Sequence, residues 1–283
     1  MPSFEPQGFD WQADLADHRD YSWRHQSVAS LLATLRSQSQ RTANLPRAVD
    51  WREYCGPIED QLGLGTSAAH AAIALVQYFE RRSTGRMLRL SSLFAHYTAG
   101  RLMPGAGGRG VSLRAVLKAM VLCGIPPERV WPYAAARLNE APDAFAYTFG
   151  RYFRSICYLR LDSRGASGDQ VLRQVRAFLA AGLPAAFGFP VCDAVGDDGE
   201  IPLPKAINSV LGGQAMTAVG YDDNLRIGSD RGALLVRSCW GNAWGHGGYG
   251  WLPYAYVRER LAIDFWTLLK PAWLRSGEFE LPL

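Results

Sequence analysis

Apolar residues recur with a helical period through residues 66–82, TSAAHAAIALVQYFERR. Ala69, Ala72, Ile73, Val76 and Phe79 share one face, and the Ala-rich positions around them favour a buried helix. Thr66 or Ser67 stands where an N-cap belongs, and Arg81 and Arg82 suit the negative end of the helix dipole. A second helix is predicted over Ser112–Leu122, closed by Gly124 and Pro126, and a third over Asp169–Ala181, closed by Gly182 and Pro184. Val28, Leu31, Leu32 and Leu35 give a fainter helical pattern in the polar leader. Beyond residue 184 the pattern changes. Ala185–Val191, Ala215–Tyr221, Ala233–Cys239 and Gly248–Pro253 read as short strands separated by Gly and Asp turns. Helices in the first half and strands in the second predict an α+β arrangement.

The length of 283 residues admits about two domains. The expected division is a leader arm over 1–46, a helix-rich part over 47–150, and a strand-rich part with a C-terminal extension over 151–283. With 48% hydrophobic and 20% charged residues, a disordered chain is excluded. A net charge of +4 leaves no nucleic-acid footprint, so no nucleic-acid partner is expected. The longest apolar stretch, Leu179–Cys192, is interrupted by Gly182, Pro184, Gly188 and Pro190 and is too short to span a bilayer. No apolar run follows a basic start, and the 5 cysteines form no dense framework, so a cytoplasmic setting is expected.

Three segments together resemble the papain-like cysteine peptidases. Leu45–His70, LPRAVDWREYCGPIEDQLGLGTSAAH, is similar to the family's Leu-Pro-x-x-Val-Asp-(Trp or Leu)-Arg, followed by Gln and then Gly-Ser-Cys at a helix start. Leu211–Asp223, LGGQAMTAVGYDD, falls where the family has Gly-His-Ala before a strand and Val-Gly-Tyr. Val236–Tyr249, VRSCWGNAWGHGGY, resembles Asn-Ser-Trp-Gly-x-x-Trp-Gly-x-x-Gly-Tyr. The leader, Val130–Tyr133 and Leu183–Phe189 look like the bacterial branch. The resemblance implies a papain-like two-domain fold, with a helical left domain, an antiparallel β-barrel-like right domain and a cleft between them. Ser67 and Gln214 would face each other across that cleft, and the leader would lie against the surface as a retained pro-segment-like arm.

In that family a thiolate at a helix N-terminus is activated by a His, an Asn orients the His, and a Gln side chain helps to hold the oxyanion. Here the corresponding positions carry Ser67, Gln214 and Ser238, while the oxyanion-type Gln61 remains, with Trp240 and Trp244 over the site. A hydroxyl without a base is a poor nucleophile, and an amide takes up no proton near neutral pH. The implied function is therefore that of a catalytically inactive pseudopeptidase, not an enzyme, whose cleft residues Gln61, Ser67, Gln214, Trp240 and Trp244 bind a peptide or protein partner. A scaffold subunit using an outer surface is the bland variant. The competing class is a Ser-based hydrolase or transferase using Ser67 with non-standard activation.

Other candidates read as structural. His70 lies one helical turn from Ser67, in a position the bacterial branch also fills with His. Cys239 adjoins Ser238 and should face the other way as a buried thiol. His246 sits in a Gly-rich turn exposed to solvent. Asp222, Asp223 and Asp230 lack metal-ligand spacing, and Gly105–Gly110 lacks the ending of a phosphate loop, so no metal and no cofactor are expected. Leu64 stands where the family has a disulfide cysteine. Leu62 follows Gln61 where the family has Gly, and is expected to distort the old oxyanion site.

Overall fold

The computed structural model describes residues 8–15, 17–22, 25–36, 45–103, 110–150, 156–163, 165–204, 210–276 and 278–279. Residues 105–109 of the glycine loop and Trp23 of the leader lie outside them.

In the first half, helices α1 (Gln26–Arg36), α2 (Ser67–Thr84), α3 (Ser92–Leu102), α4 (Leu113–Cys123) and α5 (Ala144–Phe149) gather around α2. Helix α2 buries every residue from Ser67 to Phe79, as its all-round Ala, Ile and Val content requires, and Gly85 ends it in the left-handed conformation at φ 70°. Neither expected cap works as a cap: Thr66 and Ser67 spend their hydroxyls on tertiary partners. Helix α4 is capped by Ser112, which accepts from Ala115 N–H. Helix α3 escapes prediction because its apolar and polar positions are mixed, and it is fixed by the Ser91 cap and by burial against α4.

Among the described residues, seven strands form one antiparallel sheet. They are β1 (Ala48–Asp50), β2 (Cys157–Arg160), β3 (Ala185–Cys192), β4 (Val210–Ile227), β5 (Asp230–Arg237), β6 (Tyr249–Pro253) and β7 (Ile263–Leu269). Their order is β2-β7-β3-β4-β5-β6, with β1 also on β4. Strand β4 is longer than its apolar run, because Gly212–Gln214 pair with β3 and a register shift carries it on to pair Arg226 with Arg231. Helices α6 (Gly168–Ala180), which opens with a Ser167/Gln170 capping box, and α7 (Tyr254–Arg258) flank the sheet. The short α8 (Pro271–Leu274) returns to the first half, where Trp273 stacks on Phe79 with ring centroids 4.9 Å apart. Cys55, Cys157, Cys192 and Cys239 are free thiols. Among the described residues, no helix is long and apolar enough to cross a membrane.

The leader is not laid on the outer surface. Residues 8–14 run between the two halves, with Trp11 N–H donating to Gly213 O of β4 at 3.0 Å and Gln12 N–H to Val111 O beside α4 at 3.5 Å. Glycines on both walls let the backbones approach: a Cβ on Gly110 would overlap Asp10, and one on Gly213 would overlap Trp11.

Candidate functional site

The site is built where the start of α2 meets the middle of β4. Ser67 is fully buried, and its Oγ accepts a hydrogen bond of 3.1 Å from Ala215 N–H. Gln214, also fully buried, lies beside it opposite Phe189 in the β3–β4 register. The Gln214 amide donates to Cys239 Sγ at 3.4 Å, and the Cys239 thiol donates to Gln61 Oε1 at 3.5 Å. Gln61, Ser67, Gln214 and Cys239 therefore converge on one place.

Ser238 does not join them. Its hydroxyl donates to Gly248 O at 2.9 Å and accepts from Trp240 N–H at 3.3 Å, so it braces the turn before β6. Ser238 and Cys239 do face opposite ways, and it is Cys239 that faces the site. Burial, aided by Glu59, pushes the Cys239 thiol up to about 12, so it stays protonated and a poor nucleophile near neutral pH.

His70 is engaged by Thr66 and Glu59. Its Nδ1 lies 3.1 Å from Thr66 O and 3.2 Å from Thr66 Oγ1, and its Nε2 lies 3.5 Å from Glu59 Oε2. Burial holds its pKa below the usual imidazole range, against the opposing pull of Glu59. The Tyr133 hydroxyl lies 2.7 Å from Thr66 Oγ1 and donates to Gln61 O at 2.8 Å, tying the head of α2 to the Gln61 turn. His246 is exposed.

Leu62 has a φ of 52°, a left-handed conformation that costs a branched side chain about 1 kcal/mol or more. Its side chain points outward and is 62% exposed, and its N–H donates to Asp60 Oδ1 at 2.8 Å. The expected distortion is thus confined to the backbone of the turn. Gln61 stays buried and keeps its amide turned inward, donating to the Gly8 carbonyl of the leader at 3.4 Å. Above it Trp240 packs edge-on against Trp244 at 4.8 Å and against Phe9 at 6.4 Å.

A helical half and an antiparallel half, with a glutamine turn, a helix start and a strand meeting between them, match known architecture. Xylellain, a cysteine protease from Xylella fastidiosa, superposes with a TM-score of 0.74 at 27% identity, covering 93% of this chain and 96% of that one. The fold is papain-like. Digestive procathepsin L 3 of Tenebrio molitor shares it with a TM-score of 0.60 at 20% identity, over 83% of this chain and 74% of that one. No family model matches the chain. In sequence, an uncharacterized peptidase C1-like protein of Acanthamoeba polyphaga mimivirus is 29% identical over 218 residues, 74% of this chain and 68% of that protein. Cathepsin K of Gallus gallus is 27% identical over 216 residues, 74% of this chain but only 59% of cathepsin K. The chain is thus similar to papain-like cysteine peptidases in both sequence and fold. These comparisons overturn the expectation that the chain is not an enzyme: its relatives and neighbours are named as peptidases and cysteine proteases. A missing thiol, imidazole and Asn, read from one sequence, was too narrow a ground for that expectation.

Of the residues singled out from sequence, the structure brings Ser67, Gln214, Gln61, Trp240 and Trp244 to one region, and it adds Cys239, Tyr133 and the Gly8–Trp11 stretch, which sequence reasoning did not place there. Gly8 followed closely by Phe9 and Trp11 was the available signal for that stretch.

Proposed function

We propose that the papain-like cleft binds an extended polypeptide by main-chain pairing, and that in the state described it holds the chain's own leader. The observation that carries this reading is the leader strung between both walls. Trp11 N–H donates to Gly213 O, Gln12 N–H to Val111 O, and the Gln61 amide to Gly8 O. Main-chain hydrogen bonds of this kind accept many sequences, while side-chain slots supply selectivity. We assign Ser67, Gln214 and Ser238 the places of the nucleophile, base and orienting residue, with Gln61 in the oxyanion place.

A second reading, hydrolysis of a bound segment with Ser67 as nucleophile, is favoured by the names of the relatives and by the place of Ser67 at the first turn of an 18-residue helix beside the Gln61 amide. Both readings are tested together. Full-length protein carrying Gly8→Ala and Trp11→Ala, which loosens the leader, is incubated with a mixed peptide library. Retention of peptides on the protein supports the binding cleft, and retention of none overturns it. New peptide termini that vanish in the Ser67→Ala version assign cleavage to Ser67; termini that persist there exclude it.

A further inference from the structure

Helices α4 and α5 carry a surface that the cleft does not use. Phe145 and Tyr147 of α5 are 60% and 37% exposed, and Leu122 near the end of α4 is 50% exposed. The two helix ends are pressed together backbone to backbone. A Cβ on Gly124, just after α4, would overlap Gly150 O, and one on Gly150 would overlap Cys123 O. Leu122 and the end of α5 thus share one corner of the molecule. The exposed rings are supported by neighbours: Phe145 packs edge-on against Phe149 at 4.7 Å, and Tyr147 against the buried Phe94 at 5.0 Å. Large apolar side chains exposed together mark a contact surface. Cations border it. Lys118 is exposed one helical turn before Leu122 on the same face of α4, and Arg101 of α3 is exposed within electrostatic reach of the Tyr147 hydroxyl. Neither cation is ion-paired among the described residues. The acids that precede α5 are already engaged: Asp143 caps α5 by accepting from Ala146 N–H, and Glu140 pairs with Arg137 at 3.6 Å.

We propose that this corner docks the protein reversibly on an anionic lipid surface, with Phe145, Tyr147 and Leu122 entering the headgroup layer and Arg101 and Lys118 meeting its negative charge. Aromatic rings settle at headgroup depth, and binding grows with the apolar area buried and with attraction to anionic lipid. The free cations beside the rings are the complement of such a surface. A stable protein partner needs about 800 Å² and roughly 20–30 residues on each side. The exposed side chains of one 6-residue helix and a neighbouring helix end fall short of that, whereas a lipid surface needs only a few inserted groups. The site also leaves the cleft accessible. Val111, which meets the leader, precedes α4, and Leu122 lies at the other end of that 11-residue helix, roughly 15 Å away.

The experiment sediments the full-length protein with vesicles of phosphatidylcholine alone and of equimolar phosphatidylcholine and phosphatidylserine. The expected result is retention on the mixed vesicles, little on phosphatidylcholine alone, and a decline as salt is raised. Phe145→Ser should lower the partition coefficient about tenfold. The pair Arg101→Gln and Lys118→Gln should lower it about fivefold per charge removed. All three side chains are exposed, and thermal unfolding of each variant checks that the fold is kept. Should Phe145→Ser fail to fold, Leu122→Ser takes its place. Equal retention on the two kinds of vesicle overturns the proposal, as does retention on neither, or retention that the aromatic and charge variants leave unchanged. A wild-type dimer in solution that Phe145→Ser dissolves, with no vesicle binding, overturns it too and assigns the corner to a second copy of the chain.

Discussion

At the scale of single residues, the centre of the cleft is held by hydrogen bonds of unequal value. Ser67 Oγ is the acceptor for a buried main-chain donor, Ala215 N–H. Replacing Ser67 with Ala orphans that N–H, and an unmet buried donor costs about 1–3 kcal/mol. The Ser67→Ala protein should therefore be less stable by that amount in urea unfolding, whatever it does to turnover. Gln214 is the opposite case. Its Oε1 is buried and has no hydrogen-bond partner among the described residues, and its amide makes only a long bond to sulfur. Met has a similar length and no such acceptor, so Gln214→Met should raise stability by about 1 kcal/mol or leave it unchanged. A loss of more than that in the same unfolding series would mean that the amide is satisfied in solution. An uncompensated polar atom at the heart of a cleft is the kind of local conflict that function, rather than stability, retains.

At the scale of elements, α2, β3, β5, β6 and the apolar middle of β4 were legible because their patterns are clean, whereas β1, β2 and β7 were not read. An Ala-rich run bounded by Gly85 and strands bounded by Gly and Asp turns leave little choice. Helix α3 and the full length of β4 were not legible, since tertiary packing and a register shift decide them. Of the candidate site, the positions that follow from motif spacing come together in the fold, and the partners that come from distant segments were not legible. Tyr133 reaches the site from 72 residues away, and no periodicity announces that. The head of α2 illustrates the consequence. Its expected self-cap is replaced by the Tyr133 hydroxyl, which joins Thr66 to Gln61. Tyr133→Phe should destabilise the protein by about 1 kcal/mol, as loss of one network hydroxyl usually does. Because it also frees the Gln61 turn, it should weaken peptide binding to the leader-loosened protein. Ser167→Ala provides the comparison: it removes a true capping box on α6, distant in sequence from the cleft, at about 1 kcal/mol. It should leave peptide binding untouched, so anisotropy titrations of the two variants separate helix stability from site geometry.

At the scale of the whole molecule, the leader is fastened to both halves by a buried ionic cluster as well as by the cleft. Asp14 and Asp20 come from the leader, Arg114 from α4, Arg160 and Asp162 from the β2 end, and Asp264 from β7. Asp14 N–H donates to Asp264 Oδ2 at 2.7 Å, and the Asp14 carboxylate accepts from Trp266 Nε1 at 2.9 Å. Arg114 bonds Asp20 at 2.5 Å, and Arg160 bonds both Asp162 and Asp264. Four carboxylates face two guanidiniums, so ionising all of them leaves like charges buried together. Burial raises the pKa of Asp14, and burial together with the Asp14 charge pushes Asp264 up to about 7, with Arg160 opposing. A carboxyl whose pKa is raised holds a proton in the docked state that it loses when released. It therefore contributes stability that is fully present below the released-state pKa and is lost as pH climbs through the raised one. Docking of the leader should strengthen as pH falls from about 7 towards about 5, by up to about tenfold per pH unit for one proton. The check is limited proteolysis of the leader, with the protease rate calibrated at each pH on an unstructured peptide. Cleavage should be faster at pH 8 than at pH 6 in the wild type. In Asp264→Asn, which fixes the neutral form, the leader should stay docked at both values and the difference should disappear. A wild-type leader that loosens on acidification would reverse the sign and show that Arg114 and Arg160, not burial, govern the cluster.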